Sequence, residues 1–332
     1  MTDTRSPAHD IARSRDLPLH DWQLSVENAV GRLTGHIRHA GRGAFEHLRK
    51  AWRLHGVDDE MSAFRAITAE EEAATAVILA LQRQRYPGAN RLNAWNHVHK
   101  MAFWPLIATI NDFLFRSGIP APRVSLSKRG RPRVELHLNI AALAGMDDGD
   151  TWASPDAPLN FGLRAGEADN AMVHRFEQEL AELADRSGAG SILRYIQAEA
   201  NQRNRLLYAS QDGIPHVEFH DDMLRSRAKR VCVLLMLAII VAQTPQHQIF
   251  VLQCLEAMLV ALERIEGQLS GYPELSASGD RPLLTIRRKQ GERGTISLTA
   301  PVDVGGIWQG GWDAERQIRA TAARVTYGQT DL

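Results

Sequence analysis

The stretch DDEMSAFRAITAEEEAATAVILALQRQRY, residues 58–86, decides the fold. Asp58 or Asp59 can cap its start, and Pro87-Gly88 ends it, so it reads as one long helix. Phe64, Ile67, Glu71, Ala74, Ile78 and Leu81 follow one another at steps of three and four and line one helical face. Glu71 is the sole polar residue on that stripe. A carboxylate on a core face needs a cationic partner, a metal or a proton. Glu70 and Glu72 point to other faces and read as solvated. Two roles for Glu71 stand side by side. It can pair with a buried Arg or His and only orient helices, or it can support a functional site.

Upstream, residues 21–55 read as one or two helices, with Gly41 and Gly43 as the break and Gly56 as a cap. Downstream, a helix over about 93–116 starts at Asn93 as N-cap, and Pro105 should kink or split it. Val124–Ser127 and Val134–Asn139 flank KRGRPR as a hairpin, and residues 145–170 read as loop. Helices return at about 168–187, 190–208, 222–243 and 246–268, and the tail turns to strand character in LLTIRRKQ and TISLTAPV. The expected fold is mainly α, a helical bundle with minor β-hairpin elements. Residues 1–20 form an unstructured start. Residues 21–275 form a helical body interrupted by an insertion at about 120–165, and 276–332 a small β-rich tail.

The bulk numbers narrow the class. The 39 basic and 39 acidic residues cancel, so global charge gives no argument for nucleic acid and only a local patch could. The two cysteines, Cys232 and Cys254, lie in apolar runs and read as buried thiols of a reducing, cytoplasmic compartment. The N-terminus lacks the apolar core of a signal peptide. Val231–Ala242 is the most apolar run, but its length as a helix, about 18 Å, is well short of a hydrocarbon core of roughly 30 Å. It reads as a core helix, and no membrane partner is expected.

Three constellations carry chemistry. RLNAWNHVHK, residues 91–100, gathers Arg91, Asn93, Asn96, His97, His99 and Lys100 at a helix start, where free N–H groups favour an anion. His97 and Lys100 share a face, whereas His97 and His99 do not and make poor joint metal ligands. HVEFHDD, residues 216–222, holds His216 and His220 four apart; on a helix these could share a metal with a third ligand, and otherwise the segment reads as a solvated, partly acidic helix entry. The basic cluster Lys128–Arg133 reads as a solvated hairpin tip that could also touch nucleic acid. No metal or cofactor is expected. A P-loop, a dinucleotide glycine fingerprint, a G-x-S-x-G elbow and an H-E-x-x-H helix are all absent from the sequence.

AITAEEEAATAVILAL, followed by NHVHK and later by RNRLLYASQDGIP (residues 203–215), resembles the AbiV-like abortive-infection branch of the HEPN superfamily. The resemblance covers about residues 58–116 and 190–243. Where that branch has EE-x-G-K-A, this chain has Glu71-Glu72-Ala73-Ala74-Thr75-Ala76, without the Gly and Lys. The resemblance implies a protein of bacterial stress or phage defence, a homo-oligomer with a composite site, and RNA as partner. It also implies a metal-independent ribonuclease built on Arg-x(4–6)-His. Arg91 and His97 fit that spacing, as do Arg32–His39, Arg49–His55 and Arg131–His137. The position beside the acidic helix singles out Arg91 and His97 as the catalytic pair, with Glu71, Asn93, His99 and Lys100 in support. The alternative reading is a non-catalytic helical interaction or ligand-sensing protein.

Overall fold

A computed structural model describes residues 17–117, 122–126, 132–139, 151–166, 172–208, 221–263, 283–289, 295–301, 308–309 and 317–319. Most of them are helical, with small antiparallel sheets, so the chain is mainly α with minor β elements. The helices are α1 (Asp21–Gly31), α2 (Gly35–Leu54), α3 (Asp59–Arg83), α4 (His97–Met101), α5 (Phe103–Arg116), α6 (Glu177–Arg186), α7 (Ile192–Arg205), α8 (Asp221–Gln243) and α9 (Ile249–Glu263). The strands are β1 (Arg123–Leu126), β2 (Val134–Asn139), β3 (Thr151–Ala153), β4 (Gly162–Gly166), β5 (Met172–Val173), β6 (Leu283–Lys289), β7 (Thr295–Pro301), β8 (Trp308–Gln309) and β9 (Gln317–Arg319).

Helix α3 is the axis of the body. It packs along α2 on one side and along α8 on another. Its run of alanines explains the close packing: Ala69, Ala73, Ala74, Ala76 and Ala80 are all fully buried. Small side chains let neighbouring helices approach, and Ala loses no rotamer freedom in a helix. Asp58 caps the helix, its carboxylate accepting from the Met61 N–H at 2.9 Å. The apolar run in α8 is core: Val231, Cys232, Leu234, Leu235, Ala238, Ile239 and Val241 are buried. Among the described residues no helix is long and apolar enough to cross a membrane.

Several local expectations are corrected. The break in residues 21–55 falls at Arg32–Thr34, and Gly41 and Gly43 lie inside α2. Gly41 serves packing instead. A Cβ on Gly41 would come within 2.6 Å of Val30 Cγ1 and 3.2 Å of Leu235 Cδ2. The helix expected from about 93 starts at His97; it is split at Ala102, in keeping with the kink or split expected at Pro105, which sits in the first turn of α5, where its missing N–H costs nothing. Asn96, not Asn93, caps α4 by accepting from the Val98 N–H at 2.9 Å. Residues 145–170, read as loop, contain β3 and β4.

The expected hairpins are present as β1–β2 and β6–β7, both antiparallel. Their strands mix, however. One sheet runs β8-β3-β2-β1-β9 and the other β5-β4-β7-β6, so insertion and tail strands share both. The second sheet is fastened to the body by Gln253 of α9. Its side-chain amide accepts from the Leu163 N–H at 3.0 Å and donates to the Leu163 carbonyl at 2.8 Å. Residues 1–16, the tip at 127–131 and residues 209–220, with His216 and His220, lie outside the described residues.

Candidate functional site

Three consecutive glutamates of α3 face three different neighbours, because each helical step turns the side chain by about 100°. Glu70 turns toward α8 and is hydrogen-bonded to Arg227, with Arg230 at 3.8 Å. It is buried, which corrects the solvated reading. The pair Arg227 and Arg230 also faces Glu199, whose carboxyl is pushed up by burial against the pull of those two cations. Glu72 is half-buried, and burial raises its pKa while Lys100 opposes the rise.

Glu71 turns toward α4 and α7 and is only 2% exposed. His97 Nδ1 lies 2.8 Å from its Oε1. Lys100 Nζ donates to Oε2 at 3.3 Å, and Arg203 Nη1, from α7, donates to Oε2 at 3.4 Å. One buried carboxylate of α3 thus holds groups from two other helices, α4 and α7. Burial makes the partners obligatory, because an unpaired carboxylate in the interior is costly. Lys100 is buried with it at 8% exposure, whereas His97 keeps 47% and Arg203 26% of their side chains exposed. The site therefore has a closed inner side and an open outer one.

The carboxylate also orders the imidazole. With Nδ1–H donating to Glu71, Nε2 is left as the basic nitrogen of the ring. The Arg203 guanidinium lies against the ring, 3.2 Å from Nε2, and is steadied from below by the Phe64 ring at 4.7 Å. A half-exposed imidazole oriented by a carboxylate, with a guanidinium beside it, can move a proton and stabilise an anion at one place.

The structure brings Glu71, His97 and Lys100 together. Arg91 lies in the short 3-10 turn Ala89–Arg91, and among the described residues no hydrogen bond or ion pair joins it to His97. Arg203 is the guanidinium that reaches the ring. Asn93 and His99 shape the loop before α4. The Asn93 N–H donates to His99 Nδ1 at 3.0 Å, and Asn93 Oδ1 accepts from the Trp95 N–H at 2.8 Å. Spacing along the chain offers no route to Arg203, 106 positions from His97. Its one signal is that it opens the RNRLLYASQDGIP segment.

Further cations adjoin this cluster. Arg65 Nη1 lies 3.4 Å from His47 Nδ1 of α2. The His47 imidazole is pushed down by burial, then by Arg65 and Lys50, with Arg203 adding to the same effect and Glu46 opposing it. Among the described residues no group of three or more His, Cys, Asp or Glu could hold a metal ion. A separate apolar cavity of about 280 Å³ lies between α3, α5, α8, α9 and the β1–β2 hairpin, lined by residues that include Leu106, Ile110, Leu136, Met236 and Phe250. No family model, curated protein or solved structure matches this chain.

Proposed function

We propose that the protein is a metal-independent endoribonuclease that uses His97 and Arg203. The observation that carries this reading is the half-exposed His97, held through Nδ1 by buried Glu71 with the Arg203 guanidinium 3.2 Å from Nε2. An RNA phosphodiester needs little more. His97 Nε2 takes the proton of the 2′-OH as that oxygen attacks phosphorus, and the P–O5′ bond breaks. The 5′-oxygen leaves with a proton returned by the imidazolium. Arg203 neutralises charge gathering on the phosphate oxygens, and Glu71 stabilises the imidazolium between the two transfers. The products carry a 2′,3′-cyclic phosphate and a 5′-OH. The biological setting, bacterial stress or phage defence in the cytoplasm by a homo-oligomer, is supported by the AbiV-like resemblance alone.

The test is cleavage of labelled single-stranded RNA by purified protein in EDTA. Cyclic-phosphate ends are expected, with a loss on the order of a hundredfold or more in His97→Ala and Arg203→Ala. Arg91→Ala separates the two candidate pairings, because the Arg91–His97 pair demands the same loss and the Arg203–His97 pair does not. Equal cleavage by wild type and His97→Ala, or no cleavage by wild type, overturns the reading.

A ligand-sensing reading is favoured by a different observation, the apolar cavity of about 280 Å³. Apolar cavities of about 150 Å³ already bind benzene. A rise in melting temperature with apolar small molecules, abolished in Ile110→Trp, is the expected result there.

A further inference from the structure

The cations around His97 belong to a longer strip. Helices α2 and α3 run side by side, so that Gly43 of α2 sits against Glu72 and His47 of α2 meets Arg65. At the other end of α2, His36 lies beside Trp95, with ring centroids 6.4 Å apart. His36 and His47 are eleven residues apart on one helix, a separation of about 16 Å. His97 follows Trp95 by two residues on one side, and on the other it meets Arg203, whose guanidinium lies over Phe64, the chain neighbour of Arg65.

We propose that this strip binds single-stranded RNA, with Trp95 stacking a base at one end and Arg65 with His47 receiving a phosphate at the other. The proposal rests on the RNA-cleavage reading and names how the substrate would lie. Trp95 is the most exposed aromatic side chain among the described residues, at 80%. The loop that carries it is fixed: the Trp95 backbone N–H donates to Asn93 Oδ1 at 2.8 Å, and the Asn96 N–H closes the same loop on the Asn93 carbonyl at 3.0 Å. An exposed ring on a fixed loop is the platform that unpaired bases use.

At the far end, Arg65 has no carboxylate partner among the described residues, and its hydrogen bond goes to an imidazole. Lys50 and Arg203 stand close enough to depress that imidazole further, and the acid on that side, Glu46, is paired with Lys50 at 3.5 Å. A half-buried guanidinium with only an imidazole to bond has unused capacity for a phosphate oxygen. His97 lies between platform and phosphate site, where a scissile linkage would have to pass.

The test separates binding from cleavage by using a fluorescein-labelled oligoribonucleotide with 2′-O-methyl groups, which cannot undergo 2′-OH attack. Fluorescence anisotropy should show binding by wild type and weakening of about tenfold in Trp95→Ala and in Arg65→Ala. Arg65→Ala should also shift the slope of log Kd against log salt by about one, and Trp95→Ala should leave it unchanged. A duplex of the same sequence should compete at least tenfold less well. No binding by wild type, unchanged binding in both variants, or equal competition by the duplex overturns the strip. If wild type and both variants bind alike while His97→Ala alone fails to cut natural RNA, the strip is wrong and the cleavage reading stands. If both variants bind weakly while His97→Ala cuts normally, the strip stands and the cleavage reading fails.

Discussion

Glu71 is the residue on which three helices converge, and its replacement should be felt in stability as well as activity. In Glu71→Gln the Lys100 ammonium stays buried without its acceptor charge. Removing one partner of a buried ion pair leaves the other uncompensated, and the expected loss is about 3 kcal/mol, read from urea denaturation. His137 makes a second prediction at this scale. Burial, with Arg123 nearby, pushes its imidazole down to about 4 from an ordinary 6.5. Its nitrogens lie 2.9 Å from Ser125 Oγ and 2.6 Å from Ser154 Oγ, within the hairpin sheet. The folded state holds the neutral form, so the unfolded chain binds more protons between pH 6.5 and 4. That stability is fully present above pH 6.5 and is lost as pH falls toward 4, by up to about 3 kcal/mol. Melting temperature measured across that window should fall, and the fall should be smaller in His137→Gln.

Helices show how packing overrides local propensity. Glycine inside a helix ordinarily costs up to about 1 kcal/mol against alanine, which is why Gly41 and Gly43 read as a break. Gly41→Ala should nevertheless destabilise by about 1–2 kcal/mol, because its Cβ would collide with Val30 and crowd Leu235. Gly43→Ala should be neutral or stabilising by up to about 1 kcal/mol, since its Cβ meets Glu72 Oε2 at an ordinary 3.5 Å. Thermal denaturation of the two variants side by side checks the contrast, and equal effects would contradict it. Pro105 was legible as a disturbance, and its effect is a helix restart rather than a kink. The restart leaves His97 and Lys100 facing α3, three residues apart on one short helix.

At the scale of the whole molecule, the insertion and the tail complete each other's sheets. β9 pairs with β1, β8 with β3 and β7 with β4. A chain ended after residue 275 would leave those edges without partners. It should melt lower than the full chain and aggregate on heating, as light scattering would show. What the sequence determined by itself was the local part. Periodicity placed α3 and the core run of α8, strand patterning placed β1, β2, β6 and β7, and apolar spacing marked Glu71 as a carboxylate in need of partners. These follow from short-range geometry, in which side chains a few residues apart share a face. Tertiary structure alone decided which groups answer that carboxylate. His97 and Lys100 come from the next helix, and Arg203 arrives from 132 positions beyond Glu71. It decided the strand order for the same reason. Pairing between distant segments depends on how helices pack and which edges meet, and no interval along the chain encodes that. The acidic helix was therefore readable as a helix, and its site became visible only when α4 and α7 closed over Glu71.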